Sequence, residues 1–143
     1  MADDSYVLDT SALFCLKDNE TNAHKVAKIL RGQGKKGRVY VSFASLMEYF
    51  YVVYQRVDRE EALKSYLQLK MLPIQVVESN EPLRLLAGEI KANHSLSFAD
   101  AWVAATAEQL NAVLVHKDPE FEGLDCGQVR LPYKEIGPGF TRK

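Results

Sequence analysis

Five short valine-rich runs punctuate this chain, at Tyr6–Leu8, Val39–Val41, Ile74–Val77, Ala112–Val115 and Val129–Leu131, and helix-length stretches separate the first four. Parallel strands need crossovers of a dozen or more residues, usually helical, so this alternation predicts an α/β domain around a parallel sheet of four to five strands. The spacing predicts helices over Ala12–Leu16, Asn22–Leu30, Ser42 (as cap) to about Val57, Arg59–Lys70, Glu81–Ala92 and Ser97–Leu110. The second should stop at the glycine-rich stretch RGQGKKGR, and the fourth at Pro73. The tail GPGFTRK reads as loosely held. With 143 residues and no repeat or linker, residues 1–143 are expected to form one domain.

A formal net charge of −1 excludes binding nucleic acid through a strongly basic bulk charge. A nucleic-acid contact would need a local patch, or cations that offset clustered acids. Cys15 and Cys126 lie far apart and have no metal-like spacing, which favours two reduced thiols; a disulfide between them stays open. The opening MADDSYVLDT is acidic and enters an apolar strand at once, unlike a signal peptide. No run approaches the about 18 apolar residues of a membrane span. A cytoplasmic protein without membrane contact is expected.

In open parallel sheets, ligands bind beyond the carboxyl ends of the strands. Asp9 follows the first strand directly, and Asp118 follows the fourth in AVLVHKD. If those strands are neighbours, both carboxylates leave the sheet at one edge. Asp9 is the strongest single signal, because an acid at the end of a buried strand is costly unless it is paired, hydrogen-bonded or metal-bound; the alternative is a cap for the next helix. Asp100 has capping-box spacing from Ser97, which by itself accounts for it. At 100° per residue Phe43, Leu46, Met47, Phe50 and Tyr54 share one helix face, and Glu48 falls toward the other side, as a solvated residue would. Asp118 and Glu120 read as parts of a surface turn, HKDPEF. Acids converging on one edge could not all stay ionised without a cation, and hard oxygen ligands suit Mg²⁺ or Mn²⁺.

The segments YVLDTSAL, SFASLMEYFYVVYQR and SFADAWVAATAEQLNAVLVHKDPEF, in this order and spacing, resemble the PIN-domain nucleases over nearly the whole chain. The resemblance implies a three-layer α/β/α sandwich. It also implies Asp9, Glu48 and Asp100 as metal ligands with Asp118 as fourth acid, all four catalytic, and it alone promotes Glu48. Thr10 or Ser11 would support the metal or a phosphate. His116 stands where many relatives carry Ser or Thr, which leaves the orientation of Asp118 and the local handling of water or phosphate to be explained. The single-domain size is most similar to VapC-type toxins, which are ribonucleases that usually dimerise and are silenced by a small antitoxin. A housekeeping RNA-processing nuclease of the same family, or a silent RNA-binding or scaffold module, is the alternative.

Metal-assisted in-line hydrolysis would leave a 5′-phosphate and a 3′-hydroxyl without using the 2′-hydroxyl. The RNA preference therefore follows from the resemblance alone. His24, His94 and His116 share no spacing that suggests a metal-free, paired-histidine ribonuclease, and His116 is the one nearest the site in sequence. Candidate RNA contacts are the basic cluster Arg31, Lys35, Lys36 and Arg38, together with Lys117 and Arg130. Tyr49, Phe50, Tyr51 and Tyr54 could stack bases or pack in a core or a dimer interface. A haloacid dehalogenase-type phosphatase would need an Asp at Ser11, and a receiver domain an Asp where Glu78 follows strand three.

Overall fold

A computed structural model describes residues 5–33, 38–124 and 126–132. Its five strands are β1 (Ser5–Leu8), β2 (Arg38–Ser42), β3 (Gln75–Val77), β4 (Val113–His116) and β5 (Gln128–Arg130). They form one all-parallel sheet in the order β3-β2-β1-β4-β5. Between them run α1 (Thr10–Lys17), α2 (Ala23–Gln33), α3 (Phe43–Arg56), α4 (Arg59–Lys70), α5 (Glu81–Asn93) and α6 (Phe98–Leu110), with a 3₁₀ turn at Pro119–Gly123.

Side chains on a strand alternate between its faces, and here this splits the apolar residues into two layers. Leu8, Val39, Val41 and Val115 pack under α1 to α4, while Val7 and Leu114 pack under α5 and α6. The result is the expected α/β/α sandwich, with β1 buried on both faces. Cys15 lies in the first layer and Cys126 packs against the second, so the sheet separates the two free thiols and no disulfide joins them.

Side-chain caps begin the helices where the sequence offers them. Ser42 Oγ accepts the Ala44 amide at 3.1 Å, Asp58 Oδ1 that of Glu61 at 2.8 Å, and Asn80 Oδ1 that of Leu83 at 2.9 Å. Asn111 ends α6 in the left-handed region, with φ 51°. Several boundaries shift by a residue or more from expectation: α1 starts at Thr10 because Asp9 serves as its cap, α2 runs through Gly32 to Gln33, and β5 covers Gln128–Arg130. The tail GPGFTRK lies outside the described residues.

The orientation of α3 departs from the periodicity reading. Its buried face is Ala44, Ser45, Leu46, Tyr49 and Val53, whereas Met47 and Tyr54 are exposed. The aromatic residues suggested a different face because part of the apolar side of α3 lines an open groove against α4 rather than the core. Glu48 thereby comes to the margin of the buried face and is half-buried. Tyr49 is core, stacked on Phe14 at 4.8 Å, and not a base-stacking surface.

Candidate metal centre

β1 is the strand at which the chain reverses its progress across the sheet: β2 and β3 lie to one side of it, β4 and β5 to the other. The crevice beyond the carboxyl ends of β1 and β4 is therefore the topological switch point, where ligands of open α/β sheets bind. Asp9 leaves β1 into this crevice and Asp118 lies two residues after β4.

Asp9 is 3% exposed. Its Oδ2 accepts the Ser11 amide at 3.1 Å and the Ser11 hydroxyl at 2.6 Å, so it does cap α1. Its Oδ1 is buried and has no hydrogen-bond partner. Burial pushes the Asp9 carboxyl up to about 6 against the lowering effect of Ser11, and the charges of Glu48 and Asp118 add to the rise. The Thr10 hydroxyl beside it is also buried without a partner. Ser11 Oγ accepts the Lys117 amide at 2.9 Å, tying the loop after β1 to the loop after β4.

Asp100 sits in the first turn of α6 and is 7% exposed. Ser97 Oγ accepts its amide at 3.1 Å, which supplies one half of a capping box. The carboxylate itself meets Glu120 and Asp118: oxygens of the three acids lie within 4.8 Å of one another. Its carboxyl is pushed up to about 9 by burial first, then by the charges of Asp9 and Asp118, a hydrogen bond with Glu120 and the charge of Glu48. The four expected acids thus act on one another electrostatically. Tyr51, whose hydroxyl is held above its ordinary value by burial and by Glu48 and Asp100, stands at the same margin.

Glu120 is the acid that the turn-like sequence HKDPEF disguised. Asp118 Oδ1 caps the 3₁₀ turn by accepting the Glu120 amide at 3.0 Å, and that turn folds Glu120 back to the acids. An Asp-Pro-Glu run capped by its own aspartate was the available signal. His116 is buried at the end of β4; its Nδ1 accepts the Asp118 amide at 3.0 Å, and burial keeps its basicity below the ordinary value.

The basic candidates divide. Arg130, at the carboxyl end of β5, is on the edge of the acids and pairs with Glu122 at 3.0 Å. Lys117 was read as an RNA contact, but its side chain is 7% exposed and its ammonium is held by Glu20. Arg38 begins β2 and so stands at the opposite edge of the sheet, because the loop from a helix into a parallel strand opens at the amino ends. Lys35 and Lys36 lie outside the described residues.

The donor set fits a divalent cation. A buried carboxylate oxygen lacks any partner, and the acids around it are all hard oxygen donors whose mutual repulsion a cation would offset. Asp9, Glu48, Asp100 and Asp118 would hold it, with Glu120 adjoining.

Residues 6–125 match the PIN domain family, and the chain belongs to that family. Among solved structures it is similar to VapBC2 from Rickettsia felis bound to a promoter DNA fragment, with TM-score 0.73 and 18% identity, covering 89% of this chain and 98% of that one. It is similar to VapBC-1 from nontypeable Haemophilus influenzae, with TM-score 0.67, 23% identity and 88% and 97% covered. Mycobacterium tuberculosis VapC20, a Sarcin-Ricin loop cleaving toxin, gives TM-score 0.66 and 23% identity over 88% and 99%. At these identities the likeness establishes the fold. No curated protein matches the chain. None of the described helices is long and apolar enough to cross a membrane.

Proposed function

We propose that this protein is an endoribonuclease dependent on Mg²⁺ or Mn²⁺, acting as the toxin of a VapBC-type pair. The observation that carries the reading is the meeting of the Asp100, Asp118 and Glu120 oxygens within 4.8 Å of one another at the switch point, together with an Asp9 carboxylate that feels the charge of Asp118 and keeps one oxygen buried and unpartnered. Glu48 joins them through its charge on Asp9 and Asp100. A divalent cation bound there would activate water and offset charge on the phosphodiester. The chain's own contribution is to hold the acids in place. Ser11 fixes Asp9, the start of α6 presents Asp100, and the capped 3₁₀ turn brings Asp118 and Glu120 to Asp100. Membership of the PIN family and the VapC-like fold support nuclease chemistry, and the solved toxin that cleaves the Sarcin-Ricin loop supports RNA as substrate.

A second copy of the chain and a small antitoxin complete the reading. The open groove between α3 and α4 is lined by Phe43, Met47, Phe50 and Leu63, with Met47 60% exposed, and an apolar surface of this kind suits a protein contact. The test is cleavage of labelled single-stranded RNA with Mg²⁺ or Mn²⁺ against EDTA, for wild type and for Asp9→Asn and Asp100→Asn. Metal-dependent cutting lost in both variants is expected. Cutting that survives EDTA and both substitutions would refute the site, and wild type inert on a broad RNA panel without cation binding would favour the silent-module alternative.

A further inference from the structure

We propose that Gln128 is a positioning residue for this carboxylate site, fixing Asp118 and the turn that carries Glu120 through the buried imidazole of His116. The inference deepens the reading above and rests on it for its functional meaning. The directions of the hydrogen bonds follow from elementary donor and acceptor logic. The Asp118 amide can only donate, so His116 Nδ1, 3.0 Å away, is the acceptor. The ring proton is then on Nε2, which lies 2.8 Å from Gln128 Oε1. The glutamine amide is oriented independently. Its Nε2 is 2.8 Å from the Phe121 carbonyl and 3.4 Å from that of Leu124, and both carbonyls can only accept. Gln128 Oε1 is therefore the acceptor for His116.

These bonds gather the whole acidic loop onto one side chain. Gln128 binds the end of the 3₁₀ turn directly, at Phe121 and Leu124, and its beginning through His116 and the Asp118 amide. The far ends are rigid. His116 is fully buried against the Phe121 ring, with centroids 5.1 Å apart, and its carbonyl accepts the Leu131 amide at 2.8 Å. Asp118 in turn caps Glu120. A shorter side chain at position 116 could bond the Asp118 amide but could not reach β5. The His–Gln pair thus couples the edge strand β5 to the placement of two acids, and a buried network satisfied at every member specifies one geometry.

The test is a double-mutant cycle in the full chain with Gln128→Leu and His116→Asn, read by Mn²⁺ titration calorimetry and by ¹⁵N NMR of the metal-free protein. Wild type should show the His116 ring as the neutral Nε2–H tautomer. Gln128→Leu should move the Asp118 amide resonance and weaken Mn²⁺ binding by about tenfold to a hundredfold. His116→Asn keeps an acceptor near the Asp118 amide but cannot reach Gln128, so adding Gln128→Leu to it should cost less than in wild type, only what the Phe121 and Leu124 bonds carry. Additive losses around the cycle, an Nδ1–H tautomer, or an unmoved Asp118 amide would each overturn the proposal. Should Gln128→Leu not fold, the wild-type tautomer and the Asp118 amide in His116→Asn still decide it. Wild type that binds no Mn²⁺ would sink the metal reading, and the two NMR criteria would then judge the relay alone.

Discussion

Asp100→Asn is expected to make the cation-free protein more stable at neutral pH while removing its cation affinity. In the folded chain the Asp100 carboxyl is pushed up to about 9 from an ordinary 3.8, burial being the largest cause. At pH 7 the unfolded chain ionises this group freely and the folded chain holds it protonated. The roughly three pH units between 3.8 and 7, at about 1.4 kcal/mol each, put the cost of folding at about 4 kcal/mol. The sign follows from the raised value. The folded state holds the proton more tightly, so stability is full below about pH 4 and is lost as pH rises toward 9. Asparagine removes the charge, keeps the shape and can still donate to Glu120. Urea midpoints in EDTA should therefore separate variant from wild type by up to about 4 kcal/mol at pH 7, with a gap that closes as pH falls to 4. Saturating Mn²⁺ should narrow or reverse the gap, because only wild type gains from binding. A variant no more stable than wild type at pH 7, or a gap independent of pH, would refute the electrostatic account of the site.

Three further outcomes follow from the same geometry. Ser11→Ala removes the 2.6 Å bond to Asp9 and the acceptor for the Lys117 amide, and should cost about 1–3 kcal/mol in urea denaturation. Lys117→Met removes the ammonium that is paired with Glu20, so its main effect should be a loss of about 1–3 kcal/mol of stability in a thermal melt, with RNA affinity per folded molecule little changed. Asn111→Gly should be near neutral and Asn111→Val destabilising by about 1–2 kcal/mol, since the backbone there has φ 51°; melting temperatures of the two variants check this.

The strand–helix alternation was legible because burial on both faces leaves parallel strands as short valine runs, and because Ser42, Asp58, Asn80 and Ser97 mark helix starts chemically. Asp9 was legible from its place at a strand end. Glu48 was not: its location depends on how α3 rotates against the sheet, and the exposed residues Met47 and Tyr54 imitate a core face. Glu120 depends on a 3₁₀ turn that Asp118 caps and Gln128 holds from β5. Lys117 looked free because Glu20, its partner, is 97 positions away. Pairings over such separations leave no periodic trace in a sequence.

The bond from the Lys117 amide to Ser11 Oγ spans 106 positions, and it joins the two halves of the acidic site. Asp9 precedes α1 in the chain, whereas Asp118 and Glu120 follow α6. A nascent chain therefore carries no assembled cation site until β4 has docked beside β1. On the proposed function, cation affinity would report the integrity of that one strand pair: substitutions that loosen β1 against β4, far from any acid, would be felt as weaker binding.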